Sequence, residues 1–204
     1  MTPLIILAAA VLWLAVVFFF YHYRIWLPFY VLGAVGLAFL IIAVGRTVLP
    51  LEMLLEQFTA YHVHDIAQIF GVETRIFAAS PGVILVLVIP QEQGWTLVDI
   101  GVECSGLLEE AVLVGLLAFY PSWSLGRRVG LISAGLVATY LGNLVRVLFI
   151  VLTLHEWGKD SLFLAHTLVG RVIFFLIVVG IYWAVLTGPT LTQIRSGLKF
   201  KPAT

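Results

Sequence analysis

PLIILAAAVLWLAVVFFFYHYRIWLPFYVLGAVGLAFLIIAVGRT, residues 3–47, consists of two apolar runs separated by the short polar turn YHYR at 21–24. A helix of roughly 17–25 apolar residues crosses a hydrocarbon core of about 30 Å, so each run is long enough to span. The first lacks the basic start and small-residue cleavage site of a signal peptide, so both runs are read as membrane helices, near 3–21 and 26–45. The same test selects three further spans near 104–120, 128–152 and 162–187. Composition agrees. The 204 residues are 62% hydrophobic and 11% charged, with a mean hydropathy of +1.10, more apolar surface than a soluble domain of this size can hide. The expected fold is an all-α polytopic membrane protein, one integral membrane domain over 1–204 with about five transmembrane helices. The single cysteine, Cys104, excludes an intramolecular disulfide and any multi-cysteine metal or iron–sulfur site. The absence of a long basic or acidic run argues against a nucleic-acid partner.

Residues 46–103 form the one long excursion from the membrane. LEMLLEQFTAYHVHDIAQIFG (51–71) reads as an amphipathic helix lying on the membrane surface. VETRIFAASPGVILVLVIP (72–90) has a Ser-Pro-Gly turn between β-branched runs and reads as a hairpin, and WTLVDIGVE (95–103) as a further strand leading to Cys104. The run VILVLVI is core, or an edge to which an extended substrate adds a strand. Five spans place the termini on opposite sides. Arg24, Arg127, Arg128, Arg195, Lys199 and Lys201 collect on one side, against Arg46, Arg75 and Lys159 on the other. Every acid except Glu109 and Glu110 falls on the arginine-poor side. The positive-inside rule then puts the N-terminus and residues 46–103 outside and the C-terminus in the cytoplasm.

In that topology three polar residues share one depth. Cys104 begins the third span at the outer face. Arg146 lies about 27 Å of helical rise beyond Arg128, and His166 lies about one turn into the last span. A helix N-terminus and a nearby cation both favour a thiolate, the reactive form of cysteine. Arginine suits thiolate or oxyanion stabilisation, and histidine carries protons near neutral pH. The trio fits nucleophilic attack on a carbonyl through an acyl-thioester. An activated Cys104 at the outer face is expected to react with small electrophiles supplied from outside. Asn143, three residues before Arg146 on the same helical face, is expected to orient the arginine or its substrate. His155, in the outer loop, is the substitute proton carrier.

CSG (104–106) opening a span, NLVR (143–146) late in the next and AHTLVGR (165–171) early in the last resemble the motifs of the exosortase/archaeosortase superfamily, over roughly residues 80–187. The resemblance implies a cysteine transpeptidase of the bacterial plasma membrane. Its substrates would carry a C-terminal tripartite sorting signal: a recognition motif, a membrane helix and a basic cluster. Carried over by motif, Cys104 would be the nucleophile, Arg146 the arginine and His166 the third member. No cofactor or metal is implied, and a glycan, a lipid or water would serve as acceptor. Five spans, where many exosortases have about eight, point to a compact branch such as the exosortase G type.

Two other readings compete. The polar residues of a scaffold protein would only hold helices together. Those of a small transporter would line a pathway between discontinuous helices. Glu109 and Glu110 resemble the EExxxR motif of intramembrane CAAX-type proteases, but Val114 stands at the arginine position. On a continuous helix they lie about 140° and 240° around from Cys104 and about 7.5–9 Å deeper. They are therefore expected to be a structural pair, with Arg171 as counter-charge. His62 and His64 point about 200° apart on a helix, which disfavours a shared metal.

Overall fold

The computed structural model describes residues 3–78, 83–89, 94–120 and 123–197. Two antiparallel helices, α1 (Pro3–His22) and α2 (Trp26–Thr47), form the N-terminal hairpin. Trp13 is its peg. The indole N–H donates to the Leu32 carbonyl at 2.8 Å, and the ring fills the notch left by Gly36, where a Cβ would collide with it. Outward-facing Leu7, Leu12, Phe18 and Phe39 are exposed, as residues facing lipid are.

Outside the hairpin, α3 (Leu51–Ile69) presents Glu56, Ala60, Val63 and Ala67 to the interior and leaves Met53, Phe58 and Ile69 exposed. It is followed by an antiparallel meander of β1 (Thr74–Ala78), β2 (Val83–Ile89) and β3 (Gly94–Ile100), in the order β1-β2-β3. The register pairs Arg75 with Val86 and Leu85 with Val98. VILVLVI is thus the central strand, paired on both sides, so the edge role is closed to it. The expected Ser80–Gly82 turn lies outside the described residues, as do Lys199 and Lys201. The third strand ends at Ile100 and the chain turns helical at Val102, so Glu103 belongs to a helix.

The third expected span is divided. A single turn, α4 (Val102–Ser105), is cut from α5 (Leu107–Ala118) by Gly106 at φ 76°. The 12 residues of α5 rise about 18 Å, too little for a span by length. Four helical stretches meet the length and apolarity of a span among the described residues: α1, α2, α6 (Leu125–Trp157) and Phe163–Thr192. Nevertheless α5 runs antiparallel along α2, from Leu107 over Gly45 to Phe119 beside Gly33 and Phe29. Small residues permit this approach: Gly33, Ala34, Ala38 and Gly45 are buried on α2, and a Cβ at Gly115 would strike the Ala34 carbonyl oxygen. Arg128 Nη1 donates to the Ala118 carbonyl at 2.9 Å and closes α5, placing Arg127 and Arg128 at the same end of the bundle as Phe29.

The central helix is α6, whose 33 residues rise about 50 Å and overrun the hydrocarbon core. It buries Thr139, Asn143, Arg146, Ile150 and Leu154 along one stripe. The last membrane stretch combines a π-helical turn (Phe163–Val169), α7 (Gly170–Tyr182), a second π-helical turn (Trp183–Thr187) and α8 (Gly188–Gly197). One core gathers α3, β3, Cys104 and the C-terminal half of α6. A second, around Leu113, Leu117, Trp123 and Val185, closes the opposite end.

Gly115→Val is expected to lower stability by about 1–3 kcal/mol through overpacking against Ala34, read as a fall in the thermal midpoint of the detergent-solubilised protein. Glu56 adds a pH dependence. It is buried, and burial, reinforced by Glu52 and Asp99, pushes its carboxyl from 4.5 up to about 7. The folded state therefore binds this proton more tightly than the unfolded one. The group costs nothing below 4.5 and costs increasingly as pH rises to about 7. Glu56→Gln is expected to raise the thermal midpoint above pH 7 and leave it unchanged below 4.5.

Candidate active site

Cys104 sits in α4, and the motif around it builds an elbow. The Cys104 amide bonds to the Gly101 carbonyl at 2.8 Å, and the Ser105 hydroxyl accepts the Leu107 amide at 3.2 Å. Gly106 takes the left-handed conformation between the two helices, which strains any residue with a Cβ by roughly 1–2 kcal/mol. Space is not the constraint there, since a Cβ would meet Asn143 no closer than 3.7 Å.

Two side chains of α6 hold the elbow by its backbone. Asn143 Nδ2 donates to the Cys104 carbonyl, and Arg146 Nη1 donates to the Glu103 carbonyl at 2.7 Å. Three residues apart, they lie on one face of α6 and reach adjacent carbonyls. Both are buried. The Arg146 guanidinium also lies 5.2 Å from the Phe174 ring centroid, within cation–π range.

The third contribution comes from the π-helical turn. The Gly170 amide bonds to the Ala165 carbonyl, five residues back, which is the π pattern. A Cβ at Gly170 would press on that carbonyl at 2.8 Å and on Ile150 at 3.1 Å, so glycine is what fits. In this turn residues five apart face the same way, and both His166 and Arg171 meet α4. His166 Nε2 lies 3.8 Å from Cys104 Sγ, and Arg171 Nη2 donates to Glu103 Oε2 at 2.8 Å.

Cys104, Arg146, His166 and Asn143, drawn from three separate segments, therefore converge on one point. Several expectations change in detail. The thiol is not at the mouth of a long helix but third in a single turn, so it has little macrodipole and His166 is its neighbour instead. Cys104 is 2% exposed, which closes the free thiol to the easy attack from outside expected of it. Asn143 ties the cysteine backbone rather than the arginine. Arg171 pairs with Glu103, not with Glu109 or Glu110. Neither of those two carboxylates forms an ion pair among the described residues, and the Tyr182 hydroxyl donates to the Glu109 carbonyl at 3.1 Å. The break at Gly106 also voids angles counted on a continuous helix from Cys104. His155 lies nine residues past Arg146, about 13.5 Å of rise along α6. His62 faces Tyr140 at 3.0 Å while His64 contacts Thr74 and Gln68, so the two imidazoles face different neighbours. Glu103 and Phe174 enter the site without having been singled out from sequence, and Ser105, Gly106 and Gly170, quoted there only as parts of the motifs, take on roles of their own.

The sequence profile of the transmembrane exosortase family matches residues 2–183. The chain belongs to the exosortase family. No curated protein and no solved structure matches it. The exosortase match begins far ahead of the 80–187 stretch marked by the three short motifs, at residue 2, and ends at 183. It takes in the N-terminal hairpin, α3 and the sheet, so the exosortase unit includes everything packed around the elbow as well as the motif residues.

Asn143→Ala strands the buried Cys104 carbonyl and is expected to destabilise the protein by about 1–3 kcal/mol. Asn143→Asp, which swaps the donor for an acceptor facing that carbonyl, is expected to do no better. Wild-type thermal midpoints in both variants would refute the tether.

Proposed function

We propose that this membrane protein is a cysteine peptidase and transpeptidase that cleaves the C-terminal sorting signal of another membrane-anchored protein. The observation that carries the reading is the 3.8 Å approach of His166 Nε2 to Cys104 Sγ in a site whose backbone is fixed from α6. Family membership supports the same reaction class.

In this reading His166 takes the Cys104 proton, and the thiolate attacks the scissile carbonyl. Arg146, whose Nη1 is bound to Glu103 and whose Nε has no partner, supplies fixed positive charge beside the thiolate and the developing oxyanion. As the tetrahedral intermediate collapses, the carbon–nitrogen bond breaks and His166 returns its proton to the leaving amine. The acyl-thioester then meets a glycan or lipid hydroxyl, or water. His166 takes that proton, the new carbon–oxygen bond forms and the Cys104 thiolate departs. The chain's own residues perform every step, with no cofactor. The substrate's membrane helix enters laterally between spans. In this reading the elbow, with residues 46–103, faces outside the bacterial plasma membrane, the N-terminus lies on that same outer side and the C-terminus in the cytoplasm; the uneven distribution of loop arginines and lysines supports this orientation. Glu109 and Glu110 brace α5 in the bundle.

Cys104→Ala in a folded, membrane-inserted protein is expected to reduce processing of a co-expressed tripartite-signal substrate by at least about 10³-fold, with His166→Ala also strongly impaired. Undiminished processing by Cys104→Ala would instead leave the polar cluster a scaffold.

A further inference from the structure

We propose that Glu103 is a positioning residue: its ion pair with Arg171 and the bond from Arg146 to its carbonyl hold Cys104 against His166. The proposal rests on reading Cys104 as the nucleophile with His166 as its proton partner.

Stability does not explain the Arg171–Glu103 ion pair. The Arg171 and Glu103 side chains are 54% and 62% exposed, and pairs so open contribute little to folding. Its placement is what matters. Glu103 immediately precedes Cys104, and Arg171 follows His166 by one π-turn. The 103–171 contact therefore spans the same gap as the 104–166 contact, between α4 and the start of the last membrane stretch. Each tether alone leaves freedom. The bonds from Asn143 and Arg146 fix the height of the elbow through its carbonyls, and α6 also packs on the last membrane stretch through Phe174 and Ile150. Arg171 and Glu103 add a direct polar tie between the elbow and that stretch, beside the Cys104–His166 contact. A single helical turn bounded by Gly101 and Gly106 has few internal hydrogen bonds and relies on such external ties. Misplacement of reacting groups by about 1 Å costs on the order of 10²-fold in rate, so a bond of little value to stability still matters to the chemistry.

Charge alone makes a different claim, and the two are separable. If Glu103 and Arg171 acted on the thiol only through space, removing the anion and removing the cation would have opposite effects. If they hold geometry, either loss weakens the Cys104–His166 contact in the same direction. Glu56 from α3, Asp99 from β3 and Arg146 from α6 also lie near enough to influence Cys104, and they are unchanged in every variant.

The test is the pH–rate profile of Cys104 alkylation by iodoacetamide in the purified protein, for wild type, Glu103→Gln, Arg171→Gln and the reversal Glu103→Arg/Arg171→Glu. As the only cysteine, Cys104 gives an unambiguous signal. Its midpoint reports thiolate stabilisation and its plateau reports access. The expected result is an upward shift of the midpoint in both single variants, each slowing alkylation roughly tenfold at a fixed pH below it. Recovery in the reversal variant and thermal midpoints close to wild type complete the expectation. Shifts of opposite sign would reduce the pair to electrostatics. A higher plateau with an unchanged midpoint would make it a cover over a buried thiol. Unchanged profiles would make it a bystander. Each of these three results overturns the proposal. None depends on substrate processing, so failure here is distinguishable from failure of the peptidase reading, which the Cys104→Ala result decides.

Discussion

Two adjacent backbone carbonyls, those of Glu103 and Cys104, are the points on which the arrangement turns. Gly106 frees them by ending α4 after one turn, and Asn143 and Arg146 take them up. A buried carbonyl without a partner costs about 1–3 kcal/mol, so a helix break at this depth persists only where side chains satisfy what the helix no longer does. The same two bonds that make the break tolerable also aim the thiol. Structural necessity and chemical placement are here one set of contacts.

Around that point the bundle divides its tasks. The hairpin α1–α2 meets lipid and, through Gly33, Ala34 and Gly45, receives α5 at close range. The long α6 supplies the reference axis, carrying apolar packing at both ends and the two polar tethers between. On the other side of the elbow, α3 and the sheet cover Cys104 with Ala60, Val63, Val98 and Ile100, which accounts for its burial. The thiol is thus held from below by hydrogen bonds and roofed by apolar side chains.

Much of this was legible in the sequence, and the exceptions have physical causes. The apolar runs marked the membrane helices because each is uniform over a span's length. β-branched residues flanking Ser-Pro-Gly marked β1 and β2. Depth counting along α6 brought Arg146 level with Cys104 because that helix is regular from Leu125 onward. The same counting failed where the helix is irregular. Gly106 looked like one more small residue in an apolar run, yet its φ of 76° divides the expected span. The π-turn at Phe163–Val169 has no local signature. Arg171 was accordingly matched to Glu109 and Glu110 as their counter-charge, whereas it meets Glu103. Glu103 itself was hidden among the acids of the outer loop, read as the end of a strand.

The π-turn also bears on how this chain tolerates change of length. A π-turn is an α-helix with one residue too many, accommodated without breaking the rod. Losing a residue between His166 and Arg171 would let the segment relax to ordinary α geometry with its hydrogen bonding intact. Arg171 would then follow His166 by four residues, and residues four apart on an α-helix also face the same way. Arg171 and Phe174 would keep the face that meets Glu103 and Arg146. The last membrane stretch can therefore shed one residue in this short interval without turning its contacts away, whereas a deletion in a regular α-helical stretch would rotate all that follows by about 100°.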